Sequence, residues 1–251
     1  MPSPFKELNL PEIKRKRSTR EEMPDKDDVI WARELIKVYS SGELEVTALR
    51  GVDITIKRGE VVAIVGPSGC GKTTLLNIFG ALDTPTAGRI HVDGTDLKKM
   101  GEKQLSNFRR EKIGFIFQNF NLINTLTARE NIELPMRING LRSSAIKERA
   151  DDLLKAVGLK DRQGHRPDQL SGGEQQRVAF AVALGNDPEI ILADEPTGEL
   201  DSETGKEIMT IFRELSKQMG KTEIIVTHDS RISQMADRTL RIIDGRIVSE
   251  E

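Results

Sequence analysis

The sequence predicts an α/β fold, with a mostly parallel sheet as its core, an antiparallel β region ahead of it and a helical subdomain inserted in it. Three observations carry this. The runs Val61-Val62-Ala63-Ile64-Val65, Ile190-Ile191-Leu192-Ala193 and Ile224-Ile225-Val226 are continuously apolar and rich in β-branched residues, as strands buried on both faces of a parallel sheet are. Val52-Asp53-Ile54-Thr55-Ile56 alternates instead, the pattern of a half-buried strand. Between about residues 120 and 177 the periodicity is helical, with segments such as residues 145–157.

Composition bounds the remaining choices. A chain of 251 residues suits one large domain or a core carrying an insertion. The net charge of -2 argues against a general nucleic-acid binder, which carries a basic excess. A single cysteine, Cys70, excludes an intrachain disulfide and a Cys-rich zinc site, and points to a reducing, cytoplasmic compartment. No apolar run approaches the roughly 18 residues of a membrane helix, and residues near the N-terminus lack an apolar signal core. Any membrane-spanning part is therefore expected on another chain. Residues 1–30 hold a basic block, Lys14-Arg15-Lys16-Arg17, then Asp25, Asp27 and Asp28. They are expected to form a flexible tail, either solvated or in contact with a partner or lipid headgroups. Folded sequence is expected from Trp31.

The buried strand ending at Val65 runs into Gly66-Pro67-Ser68-Gly69-Cys70-Gly71-Lys72-Thr73, which fits the P-loop pattern G-x-x-x-x-G-K-[ST]. Glycines let the backbone curl with N–H groups facing phosphate oxygens. The helix expected next, from Thr74 to Phe79, adds its positive end. Lys72 supplies a cation for the β- and γ-phosphates of ATP, and the Thr73 hydroxyl can ligate Mg²⁺. Cys70 reads as a small filler facing away from phosphate. The core is accordingly a P-loop (RecA-like) sheet.

The second buried run ends in Asp194-Glu195. A strand-end Asp beside a phosphate loop can hold Mg²⁺, and the adjacent Glu can orient or deprotonate an attacking water. Kinases, GTPases and helicases share these parts. Leu170-Ser171-Gly172-Gly173-Glu174-Gln175-Gln176-Arg177 separates this chain from them. Ser171 and two glycines precede an expected helix over residues 174–184, creating a second anion-binding helix end in one chain.

At these residues the chain resembles the ATP-binding cassette (ABC) family, whose signature begins LSGGQ; Glu174 stands in place of the usual Gln. The resemblance covers residues 31–251 and implies a core of residues 31–118 and 185–251 with a helical subdomain of about residues 119–184. It implies a head-to-tail dimer in which each ATP lies between residues 66–73 of one copy and Ser171-Gly172-Gly173 of the other. Position by position it implies further roles. Gln118 is the Q-loop glutamine reaching Mg²⁺, and His228, in Val226-Thr227-His228-Asp229, is the switch histidine at the γ-phosphate. Asp201 is the D-loop aspartate acting across the dimer, and Tyr39 stacks on adenine. Thr74 completes the nucleotide contacts, and Glu195, His228 and Lys72 are the catalytic set. His91 and His165 match no such slot.

More narrowly, Ala81-Leu82-Asp83-Thr84-Pro85-Thr86-Ala87-Gly88, Asn121-Leu122-Ile123, Leu126-Thr127-Ala128 with Glu130-Asn131, and Pro196-Thr197-Gly198 are similar to the lipoprotein-release and macrolide-export group. The resemblance implies an ATPase on the cytoplasmic face of the membrane, driving a separate permease whose cytoplasmic helix enters a groove around residues 118–131. Phe120, Leu122 and Ile123 are candidate contacts and equally candidate core. Two positions depart from the family: Val182, where arginine is common, and Glu199, where a small or amide residue is usual and where a carboxylate could slow dimer closure or change cross-site signalling. A cassette-type ATPase in cell division or scaffolding, or one acting on ribosomes or DNA, would use the same nucleotide residues. The latter usually carries two cassettes or a long coiled coil, and neither is present in this sequence.

Overall fold

The chain opens as a long antiparallel ribbon. In the computed structural model, which describes residues 23–42 and 44–250, β1 (Asp28–Ser41) pairs with β2 (Leu44–Lys57). β3 (Val61–Val65) leads through the glycine loop into α1 (Lys72–Phe79). β4 (Ala87–Val92) and β5 (Thr95–Asp96) return to the ribbon, and α2 (Glu102–Lys112) feeds β6 (Ile113–Ile116). Three helices follow, α3 (Ala128–Ile138), α4 (Ser143–Ala156) and α5 (Gly172–Leu184). The chain closes with β7 (Ile190–Asp194), α6 (Ser202–Gln218), β8 (Thr222–Thr227), the short α7 (Ser230–Ser233), β9 (Arg238–Ile243) and β10 (Arg246–Glu250).

These strands form two sheets, as the sequence predicts. The first is antiparallel, in the order β2-β1-β4-β5. The second runs β10-β9-β3-β8-β7-β6 and is parallel from β9 to β6, with β10 antiparallel at its edge. Its apolar runs divide between two cores by the two-residue period of a strand. Val62, Ile64, Ile190, Leu192, Ile224 and Val226 face the core shared with α1 and the antiparallel sheet. Val61, Ile191, Ala193 and Ile225 face the core shared with α3 to α6. Each fully buried Val, Leu or Ile contributes roughly 1.5–3 kcal/mol, so these two cores outweigh surface ion pairs worth roughly 0–1 kcal/mol each.

Two expected boundaries move. The ribbon begins at Asp28, ahead of the expected Trp31, because the pairing extends to Asp28 opposite Lys57. Val29 and Ile30 are buried, and the Asp28 carboxylate accepts from Lys57 Nζ at 2.5 Å. The acids around position 28 resemble tail composition, yet one of them closes this ion pair. The basic block at residues 14–17 lies outside the described residues. In the middle of the chain, helix starts at Ala128 and not near Phe120. Phe120 and Asn121 have φ of 58° and 52°, which no helix accommodates, and Thr127 and Glu130 form the capping box that sets the start. Val182 packs against the helical core.

Among the described residues, Asp28, Lys72, Glu133 and Lys221 are buried but keep a trace of exposure, whereas one buried carboxylate has none. Glu223, at the start of β8, is fully buried. Neither carboxylate oxygen makes a well-formed hydrogen bond. Burial pushes its pKa up to about 7; the nearby Ser216 hydroxyl and Arg213 charge offset part of this, and Asp237 adds to it. The unfolded chain releases this proton near pH 4.5 and the folded chain near 7, so stability falls as pH rises through that window and stays lower above it. Glu223→Gln should therefore match wild type near pH 4.5 and exceed it at pH 8 by up to roughly 3 kcal/mol. Urea unfolding at the two pH values measures this; a variant no more stable than wild type at pH 8 contradicts it.

Candidate functional site

The parallel register brings three strand ends to one edge. Val65 pairs with Thr227 and Asp194 with Val226, so the loops after β3, β7 and β8 leave side by side. Ligands of open α/β sheets bind at such an edge. The cleft there has a volume of about 580 Å³, and the glycine loop, Lys72, Gln118, Asp194, Glu195 and His228 are in its wall.

The loop's shape follows from its glycines. Gly71 has φ of 105°, and a Cβ there would stand 2.5 Å from the Ala48 carbonyl. A Cβ on Gly66 would stand 2.2 Å from the Ile242 carbonyl. Gly71 is also the N-cap of α1, so that helix end has no side-chain cap and no acid in its first turn. Its orphan N–H groups and positive dipole end are left for an anion. The helix starts at Lys72, two residues before the expected Thr74. Lys72 Nζ donates to the Gly66 and Pro67 carbonyls at 2.9 and 3.1 Å. Gly66, Pro67, Ser68, Gly69, Gly71, Thr73 and Thr74 line the cleft. Cys70 is buried in the first core.

Thr73 Oγ1 donates to Asp194 Oδ1 at 3.3 Å. The Asp194 carboxyl is held above its ordinary value by burial and by the neighbouring Glu195; Thr73 and Lys72 pull the other way. A hydroxyl and a carboxylate this close are hard oxygen donors of the kind that suits Mg²⁺, which takes few protein ligands and completes its shell with phosphates and water. The residues present therefore fit that ion.

Glu195 has φ of 49°, a left-handed conformation that costs a non-glycine residue about 1–2 kcal/mol. Its backbone N–H is held by the Val226 carbonyl at 2.9 Å. Its Oε2 lies 2.8 Å from His228 Nδ1 and accepts from the His228 backbone N–H at 3.3 Å. A carboxylate fixed through one oxygen has a second that can still accept a hydrogen bond. Backbone strain at such a residue is a mark of function.

Other expected site residues stand apart from this cleft. Ser171 caps α5, accepting from the Glu174 N–H at 3.2 Å, and Glu174 Oε2 accepts from the Ser171 N–H at 2.8 Å. The Glu174 carboxyl is held below its ordinary value chiefly by that backbone bond. Glutamate serves this capping box as well as glutamine does, and its charge turns back on its own helix. Ser171, Gly172, Gly173 and Glu174 do not line the cleft of their own chain. Nor does Asp201, which caps α6 through the Glu203 and Thr204 N–H groups. Tyr39 is also outside the cleft wall. Its hydroxyl donates to Asp83 at 2.8 Å and its ring lies 4.8 Å from Lys37 Nζ. Of the histidines without a site role, His91 packs edge-on against Trp31 and His165 sits beside Arg162.

Sequence reasoning missed Val46, Thr47 and Ala48, which line the cleft from β2. Val46 pairs with Tyr39 and is 63% exposed. The available signal was an apolar side chain left uncovered in an alternating strand.

Comparison with known proteins places this arrangement. Residues 49–198 match the family model described as ABC transporter. The chain is 49% identical over 209 residues to the lipoprotein-releasing system ATP-binding protein LolD of Bacteroides fragilis, covering 83% of this chain and 96% of that one. It is 47% identical over 224 residues to the macrolide export ATP-binding/permease protein MacB of Bartonella henselae, covering 89% of this chain but only 34% of that protein. Among solved structures it is similar to the dimeric, post-hydrolysis state of the ATP-binding cassette MJ0796 of Methanocaldococcus jannaschii, bound to ADP and Pi, with a TM-score of 0.81, 44% identity, and coverage of 88% and 97%. A cleft with an uncapped helix end, a signature turn facing elsewhere, and this degree of likeness lead to one conclusion: the chain belongs to the ABC transporter family, as an ATP-binding cassette.

Proposed function

We propose that this chain is the ATP-hydrolysing subunit of a transporter, driving a membrane permease on a separate chain through ATP-dependent head-to-tail dimerisation. One observation carries the reading. The uncapped N-terminus of α1 opens into the cleft beside Lys72, while the signature turn at Ser171 lies outside that cleft. A nucleotide on the loop of one copy would therefore find Ser171, Gly172 and Gly173 only on a second copy. In favour stands the dimeric structure of the similar cassette bound to ADP and Pi.

The proposed roles are these. Backbone N–H groups of residues 68–74 and the Lys72 ammonium hold the β- and γ-phosphates, while Pro67 has no N–H to give. Thr73, Asp194 and Gln118 would hold Mg²⁺, which when bound neutralises phosphate charge. Glu195 orients the attacking water and accepts its proton, and the His228 imidazole, kept in place by Glu195, faces the γ-phosphate. Tyr39 and Val46 together offer a platform at the base. Asp201 lies in the segment that meets the second copy. The core, with residues about 119–184 as the helical subdomain, pivots at Gln118.

No helix among the described residues is long and apolar enough to cross a membrane. We take the chain to work peripherally on the cytoplasmic face, as the likeness to LolD suggests. In the similar MacB, the region alike to this chain is a third of a longer ATP-binding/permease protein, so a separate permease is this account's reading. A multi-spanning membrane protein should co-purify with the chain from gently solubilised membranes. Co-purifying ribosomal material in its place would favour a non-transport cassette.

Glu195→Gln should lower the rate of phosphate release about 10²–10⁴-fold, the usual worth of a positioned base. It should bind a fluorescent ATP analogue as wild type does and double its mass by light scattering when ATP is added. Wild-type turnover in this variant would refute the role. Lys72→Ala should abolish analogue binding at concentrations that saturate wild type; retained binding would remove the lysine from the phosphate site.

A further inference from the structure

We propose that Glu199 is a positioning residue: it fixes the side-chain amide of Gln118 so that the Gln118 carbonyl oxygen faces the metal end of the cleft. This rests on the reading of Gln118 as a ligand for Mg²⁺.

The argument is one of polarity. Gln118 lines the cleft, and its Nε2 donates to Glu199 Oε1 at 3.1 Å. A glutamine amide has one accepting and one donating end of almost the same shape. Left alone it can turn either end to the cleft, and only the oxygen can ligate a cation. An ionised carboxylate is an acceptor on every side, so Glu199 can bind only the –NH₂ end. The oxygen is then left on the opposite side. The amide or small side chain expected at position 199 could not enforce this, since an amide partner accepts either orientation and a small one contacts neither.

A second observation fixes the position of the whole side chain. Gln118 lies flat against Gly198, where an added Cβ would stand 3.0 Å from the Gln118 Cδ and Nε2 and 3.1 Å from Cγ. The Gly198 N–H bonds to the Glu195 carbonyl at 3.0 Å, and the Leu200 N–H to the Thr197 carbonyl at 3.1 Å. These two turns hold position 199 opposite Gln118, in the loop that also carries Glu195. One segment thus holds the residue assigned to the water and the residue that orients a metal ligand.

The test is Mn²⁺ binding to the full chain with a non-hydrolysable ATP analogue, read as free Mn²⁺ by electron paramagnetic resonance. Gln118→Ala should weaken Mn²⁺ binding about tenfold and Glu199→Ala about fivefold, the scale of losing one ligand or its pre-orientation. Thermal midpoints should stay unchanged, because the contact is on the surface. The double variant should bind Mn²⁺ no more weakly than Gln118→Ala alone. If Glu199→Ala has no effect while Gln118→Ala does, the positioning role is overturned and the ligand role stands. If the two losses add, Glu199 acts as a distant charge and the positioning role is again overturned. If Gln118→Ala has no effect, the ligand reading fails and the inference falls with it.

Discussion

The site depends on the parallel, in-step pairing of β3, β8 and β7. Val65, Thr227 and Asp194 end their strands at one edge, and the phosphate loop, Asp194, Glu195 and His228 follow from these ends, while Gln118 follows the neighbouring β6. That alignment is enforced from both sides. Alternate residues of each strand belong to different buried cores, so a one-residue slip would exchange the two faces of a strand. The starts of the phosphate loop, the acid pair and the histidine segment are thus positioned by apolar packing of the strands that precede them.

Three helix ends support the proposal that one chain holds the nucleotide while two are needed to use it. α1 begins behind Gly71 with no side-chain cap, leaving its amides to the cleft. α5 and α6 begin behind Ser171 and Asp201, whose side chains satisfy their own helices. The Ser171 side chain takes the Glu174 N–H, and the Gly172 and Gly173 N–H groups precede any intrahelical acceptor, outside the cleft of their own chain. ATP joining α1 of one copy to α5 of another would satisfy both ends. Glu199 belongs to the same division of labour, since it acts on the metal end of the cleft through Gln118 without entering the phosphate loop.

What was legible in the sequence was local. Residues 66–73, Asp194-Glu195 and His228 stand next to apolar runs, and adjacency to a buried strand predicts a place at the sheet edge. The signature was legible because its turn and helix are contiguous. What escaped were contacts between distant segments. Val46 reaches the cleft through its pairing with Tyr39, the Tyr39 hydroxyl is taken by Asp83, and Gln118 finds Glu199 across 81 positions. The ribbon's start at Asp28 escaped for a different reason: an acid that closes an ion pair looks, in sequence, like one more tail charge. The left-handed backbone at Glu195 has no sequence signal at all, because glutamate seldom adopts it.

The central claim is that each working site is built from two copies. Mixing two variants tests it most directly. Lys72→Ala removes the phosphate grip of its own loop, and Ser171→Glu places a repelling carboxylate at its own signature. Each alone should be nearly inactive. In a head-to-tail heterodimer, one site combines both defects and the other is intact. The account expects the mixture to recover a measurable fraction of wild-type ATP hydrolysis. A mixture no more active than the sum of its parts would contradict it, and would place the whole site within a single chain.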